Sequence, residues 1–106
     1  MSLRLPQNLS TSARFETGAS ALEAELQAER AVSLGRAGRA VERALAALQA
    51  LPPDDPQTDA HLQDAADAVW RYFAQREACG MIDHDKVITD YAIPKAVLAR
   101  VGAAPR

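Results

Sequence analysis

Alanine is the residue that most constrains this chain. It occurs 23 times, whereas Trp, Phe and Tyr together occur five times. Alanine has the highest helix propensity, because it loses no side-chain entropy and hides no polar group. Such a chain folds into helices with few bulky side chains to bury. The helices must pack close together or recruit apolar surface from another copy. The expected fold class is all-α, a small helical bundle. One long N-terminal helix is expected at about 20–51 and a second at about 56–79, with two short C-terminal helices at about 84–91 and 94–101.

Residues 1–19 are polar and aperiodic, with Pro6, Gly18 and several Ser and Thr, and read as a flexible arm. Ser20-Ala-Leu-Glu23 has the form of a capping box, in which Ser20 and Glu23 satisfy each other's backbone N–H groups. The helix that follows ends before Pro52-Pro53. In its second half Leu34, Ala37, Val41, Ala44, Leu45, Leu48 and Leu51 share one face, opposite Arg36, Arg39, Glu42, Arg43 and Gln49. The first half is weaker, with Leu22 and Leu26 as its large anchors. A helix over residues 21–51 would be about 46 Å long, whereas a compact domain of this size has a radius of gyration of about 13 Å. It therefore either bends near Gly35 and Gly38 or projects onto a partner.

The second helix opens at Asp55 as N-cap with Pro56 at the first helical position, Thr58 being the alternative cap. Leu62, Ala66, Val69 and Phe73 form its buried stripe, with Trp70 and Tyr72 on the flanks. Gly80 stops it, and Asp83 caps the third helix. Pro94 opens the fourth, which ends before Gly102, and residues 103–106 fray. Residues 20–102 read as a single helical domain.

The charge balance, 12 basic against 14 acidic residues, argues against a general affinity for nucleic acid or anionic membranes. No apolar run reaches the roughly 18 residues of a membrane span, and the N-terminus has no apolar core of a signal peptide. A lone cysteine forms no internal disulfide, which fits a reducing cytoplasm.

The densest chemistry lies in QREACGMIDHD, residues 75–85. Cys79 with His84 has the composition of a nucleophile and its base. However, Cys79 ends a helix, where the macrodipole and Glu77 disfavour the thiolate. As zinc ligands, Cys79, Asp83, His84, Asp85 and His61 lack the spaced thiolate or imidazole pairs of a structural site. No catalytic residue, metal or cofactor is expected. GRAG, residues 35–38, matches the G-x-x-G of a KH loop, but it lies inside a helical pattern with no strands in prospect. Glycine in a helix costs about 1 kcal/mol relative to alanine, so Gly35 and Gly38 point to a close helix–helix contact.

VITDYAIPKAVLARV, residues 87–101, has the layout of a helix-turn-helix, with Val87, Tyr91, Ile93, Leu98 and Val101 at the apolar positions. Ile88 sits where a small residue is usual. Only Lys95 and Arg100 offer positive charge, whereas DNA binding draws on several phosphate contacts.

The blocks LEAELQAERAVSLGRAGRAVERALAAL, residues 22–48, and VWRYFAQREACGMIDHDKVITDYAIPKAVLARVG, residues 69–102, carry a resemblance. With their SLGRAGR and QREACG motifs, they resemble a family of small uncharacterised bacterial helical proteins, a domain of unknown function. The resemblance implies a helical fold and supplies no activity or ligand. In that family the position of Ala92 is often Gly, so Ala92 makes a left-handed turn before Ile93 less evident.

The expectation is a non-enzymatic helical protein-interaction or self-association module, a homodimer in the cytoplasm. Leu34, Gly35, Gly38, Val41, Leu45 and Leu48 are the expected helix-packing or dimer interface. The alternative is a helix-turn-helix-like DNA-binding protein using residues 84–101, with Lys95 and Arg100 on the DNA.

Overall fold

The computed structural model describes residues 4–102, with side chains from residue 17 onward; the tail expected to fray at 103–106 lies outside the described residues. Four helices follow in order, α1 (Arg4–Gln49), α2 (Thr58–Ala78), α3 (His84–Asp90) and α4 (Lys95–Leu98), with no strand among the described residues. The all-α class and the order of one long, one medium and two short helices are as expected.

The start of α1 differs. Its backbone is helical from Arg4, so Ser20 is an interior residue and no capping box forms there. Pro6 falls in the first turn, where the backbone N–H groups lack helical acceptors anyway, so the missing donor costs little. From Gln7 to Leu51 there is no proline to break the run. Gly18 weakens the helix without ending it. A cap signal starts a helix only where the chain before it cannot be helical.

The chain divides into two units, Met1–Val32 and Ser33–Arg106. In the first, every side chain from Thr17 to Val32 is exposed, including Leu22, Leu26 and Val32. The second holds the core. Val41 and Leu45 of α1 meet Ala65, Ala66, Ala68, Val69 and Tyr72 of α2, together with Val87, Ile93 and Val97. Val41, Val69 and Val97 are its largest wholly buried side chains. This is a small-residue core, as the alanine count implied, and it closes within one chain.

Pro52-Pro53 end α1 through a turn in which Asp55 N–H donates to the Pro52 carbonyl and Asp54 takes a φ of 60°. A left-handed third residue marks a type II turn, and aspartate tolerates that conformation better than most residues. Asp55 does not cap α2. Its carboxylate accepts from Gln57 N–H at 2.8 Å and its carbonyl from Thr58 N–H at 3.1 Å, and these bonds fold Pro56-Gln57 into a further turn. α2 therefore begins at Thr58, two residues later than expected.

The buried stripe of α2 is wider than expected. Tyr72 is buried, whereas Leu62 and Phe73 are only half-buried; Trp70 is exposed. Gly38 of α1 provides the room for the tyrosine, as the next subsection describes. At its C-terminus α2 closes in a Schellman motif: Met81 N–H donates to Arg76 carbonyl at 2.8 Å and Gly80 N–H to Glu77 carbonyl at 2.9 Å, with Gly80 at φ 82°. Asp83 then caps α3 by accepting from Lys86 N–H at 3.3 Å.

The same motif closes α3, with alanine in the glycine position. Ile93 N–H donates to Ile88 carbonyl and Ala92 N–H to Thr89 carbonyl, and Ala92 has a φ of 51°. The left-handed turn that the alanine made less evident is present. α4 packs on α2 and is one turn long, not the eight residues expected. Beyond it, Arg100 and Val101 donate to carbonyls three residues back, a tighter winding than α-helix.

Candidate functional site

The six residues expected at a helix-packing or dimer interface do not form one outward surface. Gly38, Val41 and Leu45 are buried inside the single chain, and Leu34, Leu48 and Gly35 are half-buried. The contact foreseen at Gly38 is real, but its partner is a pair of tyrosines of the same chain. A Cβ on Gly38 would lie 2.8 Å from Tyr91 Oη and 3.4 Å from Tyr72 Cε1. Gly38, Val41 and Leu45 therefore serve the packing of the chain itself, as the helix-packing expectation had it. Gly35 differs: a Cβ there meets only the flexible end of Arg39, at 3.4 Å.

The tyrosines form the polar centre of this region. Their rings are tilted at 57° with centroids 5.5 Å apart, and Tyr91 Oη donates to Tyr72 Oη at 3.3 Å. That hydrogen bond, with burial and the neighbouring Tyr72 and Glu42, pushes the Tyr91 pKa up to about 12, against the smaller opposing pull of Arg76. Tyr91 is therefore a neutral hydrogen-bond donor at ordinary pH. Beside it, Glu42, Leu45, Ala46, Gln49 and Asp90 complete an open groove of about 460 Å³. Lys86 pairs with Asp90 at 3.1 Å on its rim. Leu45 and Ala46 supply the apolar part of the groove, and Glu42 and Asp90 supply two carboxylates.

At the α2–α3 junction His84 takes partners other than Cys79. His84 stacks on Phe73 with centroids 4.2 Å apart and contacts Glu77 Oε2 through Nε2 at 2.7 Å. Its Nδ1 is buried without a partner, and Nε2 donates to the carboxylate, which can only accept. Arg76 reaches the Asp83 carbonyl at 3.2 Å. These contacts staple α3 onto α2. Cys79 is a free, half-buried thiol at the C-cap of α2, and no hydrogen bond joins it to His84. Among the described residues no group of three or more His, Cys, Asp or Glu side chains converges as a metal site.

The residues expected on DNA fare no better as a site. Lys95 is exposed on a four-residue helix. Arg100 is held by Asp59, donating to both its carbonyl and its carboxylate and so tying the C-terminal turn to the start of α2. α4 is thus one turn long, and Arg100 is engaged with Asp59, whereas recognition helices present several side chains to a groove. No helix among the described residues is long and apolar enough to cross a membrane.

Sequence reasoning missed the pairing of Tyr72 with Tyr91 and of His84 with Glu77. A signal for the first was present: a helical glycine marks a place where something bulky comes close. For the second there was none, because the seven-residue spacing becomes a contact only after the Schellman turn reverses the chain.

Fold and site together define a small all-helical protein with an alanine- and valine-rich core, in which His84 and Arg76 link α2 to α3. The chain belongs to the family of unknown function DUF6665, whose model matches residues 1–106. No curated protein matches the chain, and no solved structure does.

Proposed function

We propose that the protein is a non-enzymatic helical association module of the cytoplasm, whose contact surface is the N-terminal part of α1. One observation carries this reading: every side chain from Thr17 to Val32 is exposed, among them Leu22 at 61%, Leu26 at 46% and Val32 at 55%. Helices in proteins draw most of their stability from packing an apolar face, not from propensity. A helical segment carrying Leu22 and Leu26 one turn apart, exposed among the described residues, is completed by association. The lone thiol of Cys79 fits a reducing compartment. Light scattering across a wide concentration range tests the reading. The expected mass exceeds the 11.4 kDa of one chain, and the double substitution Leu22→Asp, Leu26→Asp lowers it. A single-chain mass for the wild type at every concentration would overturn self-association.

A further inference from the structure

The exposed segment carries a patterned charge. Between Thr17 and Val32, at 100° per residue, Leu22, Glu25, Leu26, Glu29 and Val32 fall on one face. Glu25 and Glu29 are four residues apart, a spacing at which like charges destabilise a helix. In the second unit Arg36, Arg39 and Arg43 form another exposed stripe with the same internal conflict, flanked by Ala40 and Ala47. The ion pairs among the described residues are His84–Glu77, Lys86–Asp90 and Arg100–Asp59, so neither stripe is neutralised there.

We propose that Thr17–Val32 of one copy lies antiparallel along the Arg36–Arg39–Arg43 stripe of a second copy, in a reciprocal exchange. This rests on the association reading above. Glu29 then faces Arg36 of the partner and Glu25 faces its Arg39 and Arg43. Leu22 and Leu26 pack on the small side chains of Ala40 and Ala47 and on the arginine stems, which cover apolar surface while their heads stay wet. Symmetry fixes the direction. A closed pair uses the same patch on both copies. A parallel in-register pair would set Glu25 against Glu25 and Arg36 against Arg36, whereas the antiparallel pair sets acid against base twice over.

Charge reversal with mixing tests the proposal. Glu25→Arg with Glu29→Arg, and separately Arg36→Glu with Arg39→Glu, change only exposed positions, and circular dichroism checks that both variants remain helical. Each alone should raise the dimer Kd by about tenfold or more, since several exposed pairs turn from attraction to repulsion. An equimolar mixture of the two should recover a dimer, because both exchanged contacts are then complementary. Dimers of wild-type strength in either variant alone, or no recovery on mixing, would overturn the antiparallel exchange while leaving self-association standing. A monomeric wild type would remove both.

Discussion

Ala92 is held in a conformation that alanine disfavours. Its φ of 51° lies in the left-handed region, where a side chain costs about 1–2 kcal/mol. The structure tolerates the strain because the turn satisfies two carbonyls at the end of α3 and delivers Ile93 into the core. Gly80 performs the same service after α2 without that cost. Ala92→Gly should therefore raise unfolding stability by about 0.5–1 kcal/mol in denaturant titration, after allowing for the greater freedom of glycine in the unfolded chain. The two helical glycines of α1 should behave oppositely to each other. Gly35→Ala should gain up to about 1 kcal/mol, because Arg39 can yield. Gly38→Leu should lose about 1–3 kcal/mol, because it drives a side chain into Tyr91 and Tyr72. A loss at Gly38 that appeared only in the association state, with the monomer's stability unchanged, would contradict the intramolecular packing.

At the level of elements, α4 is the most dependent on its neighbours. Four residues cannot sustain a helix, since nucleation alone is unfavourable. It persists because Val97 is wholly buried and Arg100 is bonded to Asp59 at the start of α2. Val97→Ala should cost about 2 kcal/mol and should raise amide exchange at residues 97–101 ahead of that in α2. Uniform acceleration across both elements would mean that α4 unfolds only with the whole core. The short α3 is fixed at both ends by Asp83 and Ala92, and along its side by His84 against Phe73 and Glu77.

The whole molecule should show a distinct alkaline limit. Tyr91 has its folded-state pKa pushed up to about 12, against an ordinary tyrosine value of about 10 in the unfolded chain. The neutral phenol is the form the fold prefers, so its contribution is complete below about pH 10. Above that, the unfolded state releases its proton first, and the contribution fades as pH rises toward 12. Stability should therefore fall between about pH 10 and 12, and Tyr91→Phe should flatten that part of the fall. An absorbance titration at alkaline pH, compared with that of Tyr91→Phe, should find Tyr91 ionising late in the folded protein. An ordinary value near 10 for Tyr91 would refute its hydrogen-bonded burial.

The sequence by itself determined that the chain is helical, where its helices stop, and that its core is built from small residues. Those properties are local: alanine propensity, the prolines at 52 and 53, the glycine at 80 and the cap at Asp83 act through neighbours a few residues away. It also contained the weakness of the first half of α1, in Leu22 and Leu26 standing almost alone. Tertiary structure decided what covers each face, because that depends on residues distant in sequence. Gly38 was legible as a close contact but not as a seat for Tyr91, 53 positions later in the chain. His84 was legible as reactive chemistry, yet its partners are an aromatic ring and a carboxylate brought beside it by one left-handed turn. Local sequence sets which backbone is cheapest; only the packed chain decides which side chains remain free to act.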